Sequence, residues 1–164
     1  MNKKELLTQI IVALESVHKN AIDATKLAHE TATHGETVAE NKYDTFGLEA
    51  SYLAHGQAKR VAECASDLAA YKKLTPQNFI EQTPISQGAL IYIKNVTPAN
   101  DKSEQILFLG PAAGGLKLTF RNENIMLITT AAPIGKVLTG RCVGDEVELT
   151  LGSQIKVYEI TAIY

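Results

Sequence analysis

The first 75 residues carry a hydrophobic pattern with a helical period. Between residues 3 and 33, apolar side chains recur at steps of four and three, as in the seam of a coiled coil. These positions are Leu6, Ile10, Ala13, Val17, Ala24 and Leu27. A second run repeats the pattern at Ala50, Ala54, Gln57, Val61, Cys64, Leu68 and Tyr71. Because the connection between the runs is short, we expect an antiparallel helical hairpin over residues 1–75.

The ends of the first run match helix-capping residues. Asn2 followed by Glu5 predicts an N-cap with a capping box, and Gly35 fits a C-terminal stop. A helix of about 30 residues would be ~45 Å long, more than a small domain needs for its own core. The pattern therefore indicates that the helical hairpin is an arm, longer than its own core requires.

The hydrophobic period changes after residue 75. Pro76 and Pro84 among polar residues predict a linker over 76–87. Residues 132–140 have Pro133 in the second position and end with Gly140, which is typical of a short helix. Strands are predicted at 89–96, 104–109, 116–120, 125–129, 146–151 and 156–163. Residues 88–164 are thus predicted to form a small domain, which makes the chain an α+β protein.

Composition excludes several classes of function. A hydrophobic fraction of 45% with 21% charged residues is typical of a soluble globular protein. The net charge of −2 predicts weak or no binding to free DNA. No apolar run reaches membrane-spanning length, so we expect a cytoplasmic protein without a membrane partner. Cys64 and Cys142 are predicted to be reduced, packed thiols.

The turn between the two helical runs is rich in acids. Glu36, Glu40 and Asp44 lie there. Thr37 and Glu40 also fit a capping box, so a structural and a functional role for Glu40 both stay open. Asp44 is either a third member of an acidic site or a solvated side chain.

Other chemistry is weakly represented. The four histidines lack the spacing of metal ligands, the glycines of residues 110–115 lack the Lys-Ser/Thr ending of a phosphate loop, and no catalytic triad is recognisable. We therefore expect no independent catalyst and no cofactor of its own. Lys59, Arg60, Lys72 and Lys73 form small basic spots that either contact nascent RNA or are solvated.

Two groups of residues resemble one known family. The C-terminal group is Ala132-Pro133-Ile134-Gly135, Leu138, Gly140, Gly144-Asp145-Glu146-Val147 and the final strand ending at Tyr164. The N-terminal group is His34-Gly35-Glu36 with Glu40-Asn41 and Tyr43. Together with the domain order, they resemble the Gre (GreA/GreB-like) transcript-cleavage factors of bacterial RNA polymerase over nearly the full length.

The resemblance implies a fold and a mechanism. Residues 88–164 would have the FKBP-like fold and dock on the polymerase, while the coiled coil enters the secondary channel. Glu36 and Glu40 would assist catalysis by sharing a Mg²⁺ ion within the polymerase complex, with Asp44 as a third candidate. Partner contacts are expected at Pro133, Ile134, Gly135, Leu138 and Gly140, which otherwise serve packing and backbone geometry. The protein would contact nascent RNA only indirectly. It would act as a monomer.

The tip departs from the family pattern in one respect. Gre tips place their two acids three residues apart, whereas Glu36 and Glu40 are four apart. On a helix the two spacings differ by about 100°. A channel-occluding regulator or inhibitor without cleavage activity is therefore the alternative function. More distant alternatives are a coiled-coil interaction protein and an FKBP-like prolyl isomerase. An isomerase site needs a pocket lined with aromatic residues, and the phenylalanines of the C-terminal half are Phe79, Phe108 and Phe120.

Overall fold

A computed structural model describes residues 2–33, 46–97, 103–152 and 154–164. Its helices are α1 (Lys3–Thr33), α2 (Phe46–Lys73) and α3 (Pro133–Leu138). Its strands are β1 (Leu90–Asn95), β2 (Glu104–Leu109), β3 (Lys117–Phe120), β4 (Glu123–Ile128), β5 (Glu146–Leu151) and β6 (Gln154–Ile163). The predicted α+β class, with a helical hairpin followed by a small sheet domain, is confirmed.

The six strands form one mixed sheet in the order β3-β4-β2-β1-β6-β5. Neighbours are antiparallel except β2 and β4, which run parallel. Every end of a strand lies within two residues of its predicted position. The alternation of apolar and polar residues therefore placed the strands well.

One side of the sheet carries the main hydrophobic core. Ile91, Leu107 and Ile160 from the central strands are almost completely buried there. The core also contains Leu138 of α3, together with Phe79 and Ile85 from the segment between α2 and β1. The backbone of Ile85 donates to Arg141 O and accepts from Gly140 N, at 2.8 Å each. The segment predicted as a linker thus contributes two apolar side chains to the core.

The other side of the sheet packs against the end of α2. The ring of Tyr71 lies 6.4 Å from that of Phe108, centroid to centroid, and its hydroxyl donates to Ala112 O at 3.1 Å. A Cβ atom on Gly110 would overlap this hydroxyl. Only glycine leaves room for Tyr71 in its observed position.

The chain divides into two compact units. One comprises Met1–Ile10 with Ala70–Tyr164, and the other comprises Ile11–Ala69. We call them the sheet unit and the hairpin unit. The first turns of α1 and the last turn of α2 therefore belong to the sheet unit. The predicted domain bounds of 1–75, 76–87 and 88–164 stay a prediction, as does the FKBP-like assignment.

The N-cap predicted at Asn2 is confirmed, whereas the Glu5 carboxylate of the predicted capping box is paired with Arg121. The backbone N–H of Glu5 donates to Oδ1 of Asn2 at 3.3 Å, a long N-cap hydrogen bond. The next residue, Lys3, is only 8% exposed. Its Nζ donates to Gln77 O at 2.6 Å and lies 4.1 Å from the centre of the Phe79 ring. Burial lowers the pKa of Lys3 to about 8.

Candidate functional site

The predicted acidic tip lies outside the described residues. α1 ends at Thr33 and α2 begins at Phe46, so Glu36, Glu40 and Asp44 all belong to the connection between them. Their roles as assisting acids and as shared Mg²⁺ ligands remain predictions.

The seam of α2 agrees with its prediction from Ala54 to Tyr71, and the predicted seam position Ala50 lies outside the residues whose side chains are described. Cys64 and Tyr71 are buried, and Ala54, Gln57, Val61 and Leu68 are partly buried at the expected steps. The thiol of Cys64 is free, as is that of Cys142. A heptad pattern with one dominant apolar side was therefore sufficient to place this helix.

The seam of α1 was predicted wrongly in its second half. Leu6, Ile10 and Val17 are buried or partly buried, but Ala24 is exposed and Leu27 is 67% exposed. The buried positions there are instead Ala21 and Ala28. The polar residues around Asn20 interrupt the apolar pattern, so the spacing of the next seam position was ambiguous. Several alanines there fit either of two faces of the helix equally well.

The predicted docking segment forms α3 and its C-terminal turn. Pro133 occupies the start of the helix, where its missing N–H costs nothing. At the other end, the Thr139 hydroxyl donates to Gly135 O at 2.6 Å. A Cβ atom on Gly135 would overlap the carbonyl oxygen of Thr129. Glycine at this position therefore allows α3 to pack closely on the chain that follows β4.

The five predicted partner residues differ in accessibility. Leu138 is fully buried in the core and Gly135 is buried, whereas Ile134 is partly buried. Pro133 and Gly140 are exposed. Direct contact with a partner is thus open to Pro133, Gly140 and the exposed part of Ile134, while Leu138 and Gly135 support the shape of the segment from inside.

A hollow of about 450 Å³ lies beside this segment. Its lining includes Lys136 and Arg141 together with Glu146 and Glu148 of β5. These four residues are all exposed. A lining with both cations and anions suits a protein surface of mixed charge better than nucleic acid, whose phosphates repel the two glutamates.

A second polar cluster joins α1 to the far strands of the sheet. Arg121 Nη2 donates to Glu5 Oε2 at 2.6 Å, and both side chains are about half exposed. Nearby, the Tyr92 hydroxyl donates to Glu123 Oε2 at 3.0 Å. Desolvation, with the Glu123 hydrogen bond second, raises the pKa of Tyr92 to about 12. Tyr92 therefore stays neutral at physiological pH and acts as a hydrogen-bond donor.

The phenylalanines needed for an isomerase pocket are not available. Phe79, Phe108 and Phe120 are each no more than 8% exposed. None of the three lines the hollow beside α3. These rings therefore offer little surface to a proline-containing ligand.

The described ranges contain neither a candidate metal cluster nor a candidate membrane-spanning helix. Within them, no group of three or more His, Cys, Asp or Glu side chains is placed to hold a metal ion. None of the helices there combines the length and apolar character that a membrane crossing requires.

Sequence reasoning missed a groove on the sheet unit. It is lined by residues 104–107, 117–119 and 124–126, and its volume is about 660 Å³. The pattern of Lys117 and Thr119 alternating with Leu118 and Phe120 marks a half-buried strand. It does not indicate which strands lie beside it, so the groove could not be found without the sheet order.

Comparison with known proteins identifies relatives of one kind. No protein-family model matches the chain. The chain is 27% identical over 161 residues to transcription elongation factor GreA of Sphingopyxis alaskensis, covering 97% of this chain and 89% of that protein. It is 30% identical over 105 residues to the protein of the same name from Nautilia profundicola, covering 64% of this chain. That second match spans only 59% of the relative's length.

Among solved structures, the chain is similar to GreA factor homolog 1 (Gfh1) of Thermus thermophilus. The identity is 18%, the coverage is 98% of this chain and 93% of that one, and the TM-score is 0.38. The chain is thus similar, at low identity, to Gre-type transcription elongation factors.

Proposed function

We propose that the protein binds bacterial RNA polymerase, inserts the tip of its hairpin into the secondary channel and modulates transcription elongation. The observation that carries the proposal is the likeness to a protein named transcription elongation factor GreA over 97% of this chain. The proposed factor is a cytoplasmic monomer that contacts nascent RNA only indirectly. It has no cofactor of its own and is not an independent catalyst.

The hairpin supports this proposal through its length. α1 has 31 residues and α2 has 28, so each helix extends for ~40 to 45 Å. In the hairpin unit, the buried seam consists largely of small side chains such as Ala21, Ala28 and Cys64. Small residues let helix backbones approach closely and keep an arm slim. A slim arm of this length suits insertion into a channel.

The tip acids would supply carboxylate oxygens inside the polymerase. Mg²⁺ prefers hard oxygen ligands and commonly takes one or two protein carboxylates together with phosphate and water. Glu36 and Glu40 would be those ligands, with Asp44 as the third candidate. When bound, the ion would neutralise charge that develops during hydrolysis of the RNA. The protein's own part is to present its carboxylates at the right place.

The sheet unit would dock through the surface around α3. Pro133, Gly140 and Ile134 offer a small apolar contact, and the charged hollow beside them offers complementary polar contacts. Gly135 and Leu138 would act indirectly by fixing the shape of this surface. Such an arrangement, with apolar residues beside a charged rim, is common at protein interfaces.

A second candidate function is occlusion of the channel without cleavage. The observation that favours it is the four-residue spacing of Glu36 and Glu40. If the tip is helical, a four-residue spacing would rotate the second acid by about 100° relative to a three-residue spacing. A preorganised site tolerates little misplacement of a ligand, so this rotation would suppress cleavage while leaving binding intact.

Stalled, backtracked elongation complexes with 5′-labelled RNA distinguish the two candidates. If the protein stimulates cleavage, adding it shortens the RNA from its 3′ end, and Glu36→Ala or Glu40→Ala abolishes the shortening. Asp23→Ala, which removes an exposed acid from α1, serves as the matched control and keeps full activity.

The remaining outcomes are equally informative. Binding to core polymerase with slower RNA synthesis and no cleavage supports occlusion. Absence of binding contradicts both candidates. A mass that rises with protein concentration, in the absence of polymerase, would favour a coiled-coil interaction protein instead.

A further inference from the structure

A segment of the sheet unit connects the start of α1 with the end of α3. It comprises residues 77–85, and we call it the strap. Within it, Thr83 N donates to Ile80 O at 2.8 Å, and Ile80 N donates to Thr83 Oγ1 at 3.1 Å. These two hydrogen bonds close a turn between the ends of the strap, so the ends are joined by a braced segment.

Lys3 holds the first end of the strap. Its Nζ donates to Gln77 O at 2.6 Å and lies 4.1 Å from the centre of the Phe79 ring, which belongs to the hydrophobic core. Burying an ammonium group costs free energy unless the group is hydrogen-bonded. The observed burial of Lys3 is therefore favourable only while the strap keeps its place.

The second end of the strap is joined to the turn after α3. This turn comprises residues 139–142, and we call it the docking turn. Ile85 N donates to Arg141 O, and Gly140 N donates to Ile85 O, at 2.8 Å each. The thiol of Cys142 also contacts Gln82 O at 3.7 Å. Strap and docking turn are thus connected through their backbones.

The end of α3 uses the strap where most helices use their own last turn. Gly140 has a φ of +82°, the left-handed conformation that commonly follows a helix. In the usual motifs, the N–H of this glycine donates to a carbonyl of the helix that it terminates. Here its acceptor is Ile85 O of the strap. The shape of the docking turn therefore depends on where the strap lies.

We propose that the strap sets the shape in which the docking turn binds polymerase, with Lys3 and Thr83 as positioning residues. Both act inside the sheet unit, because Lys3 is only 8% exposed and the Thr83 hydroxyl accepts a hydrogen bond from the strap itself. The identity of the partner rests on the proposed function. The coupling between strap and docking turn is a property of this protein alone.

Amide hydrogen exchange of the free, full chain tests the coupling. The reporters are Gly140 and Ile85, whose N–H groups join the strap to the docking turn. The references are Gly110 and Leu127, whose N–H groups donate to Ile128 O and Leu116 O elsewhere in the sheet unit. A general loss of stability would speed exchange at reporters and references alike, whereas a positioning role affects the reporters alone.

Two substitutions disturb the strap at different points. Lys3→Met removes the hydrogen bond to Gln77, and Thr83→Val removes the acceptor of the Ile80 N–H. Each should speed exchange of the reporters about fivefold relative to the references, the effect of losing one hydrogen bond. Thr83→Ser keeps the hydroxyl acceptor, so this matched control should exchange like the wild type. Unchanged exchange at the references verifies the fold.

Titration of the same variants with core RNA polymerase tests the consequence for docking. Lys3→Met and Thr83→Val should bind about twofold more weakly or worse, because polymerase must then select molecules with a closed docking turn. Thr83→Ser should bind like the wild type. Unchanged reporter exchange, or faster exchange with unchanged affinity, would overturn the proposal. A wild-type protein that does not bind polymerase would overturn the proposed function and the docking role, while the exchange data still decide the coupling.

Discussion

The two compact units bury different kinds of side chain. The buried apolar residues of the hairpin unit are Leu14, Ala21, Ala28 and Cys64 within the described ranges. The largest fully buried residues, among them Tyr71, Phe108 and Ile91, all belong to the sheet unit. Since stabilisation grows with the apolar area removed from water, most of the stability resides in the sheet unit. The hairpin unit is therefore stabilised mainly by small buried side chains, and the sheet unit by large ones.

The largest predicted difference comes from truncating one buried side chain in each unit. Leu138→Ala should lower the free energy of unfolding of the sheet unit by about 2 to 5 kcal/mol, because it leaves a cavity in the core. Cys64→Ala removes only a sulfur atom from the hairpin seam and should cost about 1 kcal/mol. Urea denaturation, with amide hydrogen exchange to assign each transition, measures both. Equal losses would contradict the contrast between the units.

Adding one methyl group to each unit sharpens the same comparison. Gly135→Ala should cost about 1 to 3 kcal/mol, because the new Cβ atom meets the backbone oxygen of Thr129, which cannot easily move. Gly56→Ala in α2 has no atom within 4 Å of the new Cβ and should instead stabilise by about 0.5 to 1 kcal/mol through helix propensity. Thermal unfolding of both variants gives the signs. Destabilisation by Gly56→Ala would show that the hairpin is packed more tightly than described.

The buried Lys3 predicts a pH effect within the sheet unit. Its folded pKa of about 8 lies below the ordinary lysine value of 10.5, so the unfolded state binds more protons between those pH values. Stability should therefore rise as the pH increases through this window, by an amount on the order of 1 kcal/mol after allowance for solvent screening. Lys3→Met keeps most of the packing on Phe79 and should remove this rise. Denaturation at pH 7.5 and 10 tests it, and an unchanged slope in the variant would assign the effect to another group.

The smallest effects are expected from the exposed ion pairs. Glu5→Gln removes the pair with Arg121 in the sheet unit and should cost no more than about 1 kcal/mol, because both side chains are about half exposed. Glu63→Gln removes the pair with Arg60 at 3.7 Å in the hairpin unit and should cost about 0.2 to 0.5 kcal/mol. Both losses should shrink in 1 M salt. A salt-independent loss at Glu5 would indicate a packing role.

The strands and the two long helices could be predicted from their hydrophobic periods, and α3 from the Pro and Gly near its ends. The seam of α2 was right, but that of α1 slipped after Val17, where Asn20 interrupts the pattern and Ala21, Ala24 and Ala28 compete for one stripe. Alanine is only weakly hydrophobic because its apolar area is small, so the pattern does not choose between the two stripes. A shift of one residue then turns the predicted face by about 100°.

Features set by long-range contacts could not be predicted. Phe79 lies in a short polar segment without periodicity, and its burial depends on the sheet that follows. The groove beside β3 requires β4 to lie between β2 and β3, an order that no local pattern specifies. The acids of the tip were found through a family resemblance, and their geometry lies outside the described residues.

The most direct test of the proposed function is site-specific photo-crosslinking to core RNA polymerase. A photoreactive residue in place of Lys42, between the two long helices, should crosslink to the catalytic subunits that form the secondary channel. The same residue in place of the exposed Ile80 of the sheet unit serves as the control and should not reach the channel. Crosslinks from position 42 into the channel are the predicted result. A protein that fails to bind polymerase, or that binds with position 42 crosslinked only to the outer surface, would contradict the assignment as a channel-inserting elongation factor.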